Sequence, residues 1–168
     1  IGFMETPTED LKAIVDEKLA GLKEALAEAR KNDESKRTLG QIEDRIDRYE
    51  QRLKDLAARP TDDIGIDFKA LGIDHLSVDE AHEFKNLEYS TSGDRVVGMN
   101  DPNGSKKAFD LYSKVRGLLA RGGGVTFATG TPVSNSLVEI YTMMSYLAHD
   151  ELVLRGQEHF DSWSGAYA

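Results

Sequence analysis

Residues 75 to 86 read HLSVDEAHEFKN, and Asp79, Glu80 and His82 within them carry groups able to act together. Alternating apolar positions run straight into the two carboxylates, as at the end of a short strand. In open parallel sheets, ligands bind outside the carboxyl ends of the strands. An aspartate there can hold a magnesium ion, directly or through water, because magnesium prefers a few carboxylates plus phosphate oxygens. The following residue points elsewhere, which frees Glu80 to orient and deprotonate an attacking water. His82 is placed to bridge this strand end to its neighbour. A zinc-peptidase reading of His82-Glu83 fails, since that helical signature needs a second histidine where Asn86 stands.

A second apolar run, VTFAT, ends in Thr129, Gly130 and Thr131, followed by Pro132. Hydroxyls at one strand tip and carboxylates at the next are what a nucleotide-driven motor needs. A turn in which Pro132 opens the next helix accounts for the same residues structurally, and the two readings are compatible.

The elements that must position these groups follow from periodicity. Thr8 or Thr6 is expected to cap a first helix, with Glu9 and Asp10 at the positive end of its dipole. Leu11, Val15, Leu19, Leu22, Leu26 and Ala29 make its apolar stripe. After KNDESKRT, Leu39, Ile42, Ile46, Tyr49, Leu53 and Leu56 form a heptad seam, so the two helices should fold back as an antiparallel hairpin that Pro60 ends. Beyond it, a short helix is expected around Phe68 to Leu71, then a buried strand at His75 to Val78. A turn-rich loop (EYSTSGDRVVGMNDPNGS) comes next. A helix follows with Ala108, Leu111, Tyr112, Val115, Leu118 and Leu119 on one face, then the buried strand VTFAT and the amphipathic helix LVEIYTMMSYL. A strand–helix–strand–helix order implies an α/β fold with a parallel sheet.

Bulk properties narrow the function. With no cysteine, disulfides, thiolate zinc sites and cysteine nucleophiles are excluded, and a reducing cytoplasm is the expected location. No apolar run reaches the length of a membrane span. The formal net charge of −9 argues against a free-standing nucleic-acid binder, but Lys85 to Arg121 carries seven basic residues against four acidic ones. Lys106, Lys107, Lys114 and Arg116 could face a DNA backbone, although charges opposite an apolar stripe are ordinarily a solvated helix face.

VDEAHEFKN and ATGTPVSN resemble motifs II and III of superfamily-two helicases and translocases. Lys85-Asn86 and the Asn135 after Thr-Gly-Thr-Pro are most similar to the Swi/Snf branch, whose members move along duplex DNA, as is the helix LVEIYTMMSYL. The resemblance covers about Leu71 to Leu147. It implies a partial RecA-like lobe over residues 61–168, preceded by a helical coiled-coil hairpin insertion over 1–60. Asp79 would be the magnesium-associated aspartate and Glu80 the catalytic glutamate. His82 would link nucleotide state to motif III, and Thr129, Gly130 and Thr131 would couple hydrolysis to DNA contact. Lys85, Asn86, Lys106 and Lys107 are the candidate DNA-binding residues, and ATP with Mg2+ the implied cofactors.

Departures matter equally. The family needs a phosphate loop ending Gly-Lys-Thr or Gly-Lys-Ser upstream of motif II, and these residues contain none: NGSKKA has the wrong order and RGGGV has no lysine. A second motor lobe is also missing. The chain is therefore expected to be a piece of a larger protein, inactive alone, that needs the remaining motor parts in cis. The hairpin resembles an insertion in large phage- and plasmid-borne proteins that join such a motor to an adenine-specific DNA methylase. A non-catalytic reading competes, in which the hairpin is a protein-interaction surface or associates with itself. His75, His149 and His159 have no partner pattern, and HFDSWSGAYA carries no reading.

Overall fold

A computed structural model describes residues 6–58, 68–89, 91, 103–134 and 136–167. They divide into two compact units, one carrying the first two helices and the other everything from Phe68 onward. Among the described residues there are six α-helices and one two-stranded parallel sheet. No helix among them is long and apolar enough to cross a membrane.

In the first unit, α1 (Thr8–Lys31) and α2 (Lys36–Ala57) pack along their lengths. α1 buries Leu11, Ile14, Val15, Leu22 and Ala29, and α2 buries Ile46 and Tyr49. Two ion pairs cross between them, Lys23–Glu50 at 3.1 Å and Arg30–Glu43 at 2.8 Å. Seven residues up one helix matches seven down the other, so the two helices run antiparallel. Both pairs are solvent-exposed and contribute at most about 1 kcal/mol each, so burial, not charge, holds the pair together. The connection is a Schellman turn: Glu34 N–H bonds Ala29 O at 3.0 Å, and Asp33 sits at φ 55°, the left-handed position that ends many helices. Ser35 then caps α2 by accepting from Thr38 N–H at 3.2 Å.

One helix start differs from expectation. Pro7, not Thr8 or Thr6, occupies the cap position of α1, and no side chain caps it. Its extended backbone offers Pro7 O to Leu11 N–H at 3.0 Å, which makes Thr8 the first helical residue. Pro60 lies outside the described residues.

The second unit opens with a turn instead of the expected helix at 68–71. Gly72 N–H bonds Lys69 O at 3.1 Å, and Gly72, at φ 64°, takes a conformation that would end any helix there. β1 (His75–Val78) and β2 (Gly124–Phe127) then pair in parallel, His75 opposite Gly124 and Val78 opposite Phe127. The strands are half-buried, not buried. Leu76 and Val78 point into the core, while His75, Ser77 and Thr126 lie on an exposed face where His75 Nε2 meets Thr126 Oγ1 at 3.1 Å. Most of the loop between Tyr89 and Asn103 lies outside the described residues.

The crossover helix α3 (Lys106–Ala120) starts from a Ser105 cap and packs against β2 and the later helix α4 (Leu137–Leu147). Contacts on several sides widen its expected stripe, so Ser113, Lys114 and Gly117 are buried as well. Lys114 is therefore no DNA-facing cation: its side chain is sealed and bonds Asp110 at 2.6 Å. Arg116 is half-buried and donates to the Tyr112 hydroxyl at 2.9 Å. Pro132 does not open a helix either, since α4 begins five residues later.

α4 joins two apolar clusters. On one side the Tyr146 ring is tilted against Phe127 and edge-on to Tyr112, with ring centroids 5.3 and 5.8 Å away. On the other, Val138 and Tyr141 meet Tyr89 and, from α5 (His149–Leu154) and α6 (Phe160–Tyr167), Leu152, Phe160 and Trp163. The segment without a sequence reading thus supplies one wall of a core.

Candidate functional site: two strand ends joined by a histidine

The ladder between β1 and β2 continues past both strands. Ala128 N–H bonds Val78 O at 2.9 Å and Ala81 N–H bonds Ala128 O at 3.0 Å, so the two tips stay side by side. Asp79 and Glu80 bulge out between those bonds. Glu80 is held at φ 52°, ψ 44°, left-handed backbone that costs a non-glycine residue about 1–2 kcal/mol. The Asp79 carboxylate compensates in part by accepting the Glu80 N–H at 2.8 Å. Both side chains consequently stand in solvent at the strand end.

A 3-10 turn, Ala81–Phe84, follows and carries His82 back over the tips. His82 Nδ1 lies 3.1 Å from Glu80 Oε2 and 3.2 Å from Thr129 Oγ1. Because a carboxylate can only accept, Glu80 favours the tautomer with the proton on Nδ1. Thr129 Oγ1 in turn accepts the Thr131 N–H at 3.2 Å. The chain Glu80–His82–Thr129–Thr131 therefore spans both strand ends through side-chain and backbone contacts. Gly130 lies inside the Thr129–Thr131 turn.

The neighbouring cations behave differently from one another. Lys106 and Lys107 are exposed, with Lys107 Nζ 3.2 Å from Glu83 and 4.6 Å from the Phe84 ring centroid. Lys85, expected to face DNA, is turned inward: its ammonium bonds Ser134 Oγ at 3.1 Å and Glu139 Oε2 at 3.2 Å. Asn86 is half-buried, and its Oδ1 is sealed without a hydrogen-bond partner among the described residues. Asn135 lies outside the described residues.

Three α4 residues that sequence reasoning missed hold this region. Glu139, Thr142 and Tyr146 share one helix face, and their side chains take Lys85 Nζ, Lys85 O and Phe84 O respectively. Their i, i+3, i+7 spacing was visible, but nothing in it named a distant partner.

A magnesium ion asks for few protein oxygens when phosphate and water complete its shell, and the exposed Asp79 carboxylate meets that demand. No group of three or more His, Asp or Glu among the described residues makes a metal cage alone.

A family model described as a probable helicase domain matches residues 3–168. The chain belongs to that family. The match runs through both units, so α1 and α2 fall within the family's domain together with the two strand ends. No curated protein and no solved structure matches the chain.

Proposed function

We propose that this probable helicase domain is part of the ATPase core of a Swi/Snf-like, DNA-dependent motor, with Asp79–His82 as its motif II and Thr129–Thr131 as its motif III. The supporting observation is the contact chain from Glu80 through His82 to Thr129 and Thr131, which joins a hydrolytic carboxylate to a hydroxyl loop. Residues 61–168 then form part of a RecA-like lobe, and the α1–α2 hairpin is an insertion into it.

Glu80 is the group that orients water and accepts its proton, since its carboxylate is exposed and is held in place by the His82 Nδ1–H, which donates to it. Asp79 would hold magnesium, which with ATP bound neutralises developing phosphate charge. His82 shares its Nδ1 proton between Glu80 and Thr129, so a shift at Glu80 alters what Thr129 can accept, and with it the Thr131 amide. Of the candidate DNA-binding cations, Lys106 and Lys107 are exposed and could meet a phosphate backbone.

ATP hydrolysis by the longest natural reading frame containing this chain, with and without duplex DNA, tests the reading. Glu80→Gln is expected to remove turnover at least a hundredfold while leaving ATP binding in place, as loss of a general base does. Turnover indifferent to Glu80 would refute it. The 168-residue chain alone should show no hydrolysis, because it contains no phosphate-cradling Gly-Lys-Thr or Gly-Lys-Ser loop.

A further inference from the structure

Ser136-Leu137-Val138-Glu139, at the start of α4, has the spacing of a capping box. In that arrangement the serine bonds the amide three residues on, and the glutamate reaches back to the serine's own N–H. Ser136 has the extended backbone a cap requires, φ −157° and ψ 160°, yet makes no side-chain cap. Its Oγ is buried without a hydrogen-bond partner among the described residues. The Glu139 side chain reaches beyond Ser136. Its carboxylate, 3% exposed, takes the Ser134 N–H at 2.6 Å and the Lys85 ammonium at 3.2 Å.

That diversion does not favour stability. Desolvating both charges is costly, and apolar residues in place of a buried ion pair are often neutral or stabilising. What the pair achieves is position. Lys85 immediately follows the turn that carries His82, and Ser134 lies three residues beyond Thr131. Thr142 and Tyr146 hold the adjacent carbonyls of Lys85 and Phe84, so α4 grips the first strand end along one face and the second strand's loop at its tip.

We propose that Lys85 and Glu139 form a buried latch that transmits movement of the Asp79–Glu80–His82 strand end to the Thr129–Ser134 loop, making turnover responsive to DNA. The inference rests on the motor reading above, and both residues are positioning residues, not catalytic ones. A rigid contact between two loops with discrete arrangements is the physical means by which such coupling travels.

The test uses the longest natural reading frame with Glu139→Gln, Lys85→Met and their combination, and measures basal and DNA-stimulated ATP turnover. For Glu139→Gln the ratio of stimulated to basal rates should fall about tenfold, a typical coupling magnitude, with basal rate and KM for ATP within about twofold. The double variant should lose no more than either single one, since both remove the same contact. An unchanged ratio, or losses that multiply, overturns the latch. If Glu139→Gln does not fold, Lys85→Met with Glu139→Leu fills the space with apolar atoms: uncoupling in that folded variant supports the latch, and retained coupling refutes it. Amide exchange over 129–134 provides a readout independent of turnover. Faster exchange in Glu139→Gln is expected, and unchanged exchange counts against the latch even if the motor reading holds. A wild-type protein without DNA-stimulated turnover defeats the motor reading and takes the latch with it.

Discussion

At the scale of single residues, the strand-end glutamate has opposing demands placed on it. Glu80 occupies left-handed backbone that glycine adopts without penalty, so Glu80→Gly should raise the melting temperature by a few degrees, equivalent to about 1 kcal/mol. Under the proposed motor function, the same variant should abolish ATP hydrolysis by the longest natural reading frame containing this chain. Stability gained together with activity lost, read by calorimetry and ATPase assay, would identify the strain as functional. Tyr146 bears a different load: its hydroxyl bonds Phe84 O at 3.1 Å and Ala108 O at 2.8 Å. Burial, reinforced by Tyr112 and Glu88, raises its ionisation well above the ordinary tyrosine range. The native state therefore holds the proton more tightly than the unfolded chain. That contribution is fully present below about pH 10 and is lost as pH rises beyond it. Denaturant midpoints measured between pH 8 and 11 should fall at the alkaline end, and less steeply in Tyr146→Phe. That variant should start about 1–3 kcal/mol less stable, because the single buried O–H shared between the two carbonyls is lost.

At the scale of elements, periodicity was a good guide wherever one face of a helix is buried and a poor one where burial is nearly complete. The α1 and α2 stripes are the residues the structure buries or half-buries, because a two-helix hairpin has a single seam. α3 has neighbours on several sides, so Lys114 vanished into the interior despite its charge. Start signals failed where backbone outranked side chain: Pro7 took the cap position of α1 from a threonine, and Pro132 opens no helix, α4 starting at Leu137. The hairpin turn offers a test in which local rules should hold. Asp33→Gly at the left-handed position should stabilise the chain by about 1 kcal/mol, and Ser35→Ala should cost about the same by deleting the α2 cap. Thermal melts followed by circular dichroism decide both. In α6, Trp163 is 4% exposed among Tyr141, Phe160 and Tyr167, and as the chain's single tryptophan it reports this core alone. Phe160→Ala should cost about 3–5 kcal/mol and shift its emission to the red.

At the scale of the whole molecule, the two strand ends could be located from sequence because their residues are chemically distinctive and close in the chain. Their joining could not, since it depends on the register that sets Val78 opposite Phe127 and on a helix face that reads the Phe84–Lys85 backbone. Pairings between distant segments leave no local periodicity. That separation also has a consequence in time. The α1–α2 hairpin closes over a turn of a few residues and can form as soon as it leaves the ribosome. β1 must wait until β2 has been synthesised, roughly fifty residues later. At translation rates of about 5–20 residues per second, that is a pause of several seconds. Throughout it, Leu76 and Val78 have no strand beside them among the described residues, which makes β1 a segment exposed to mispairing while the protein is being made.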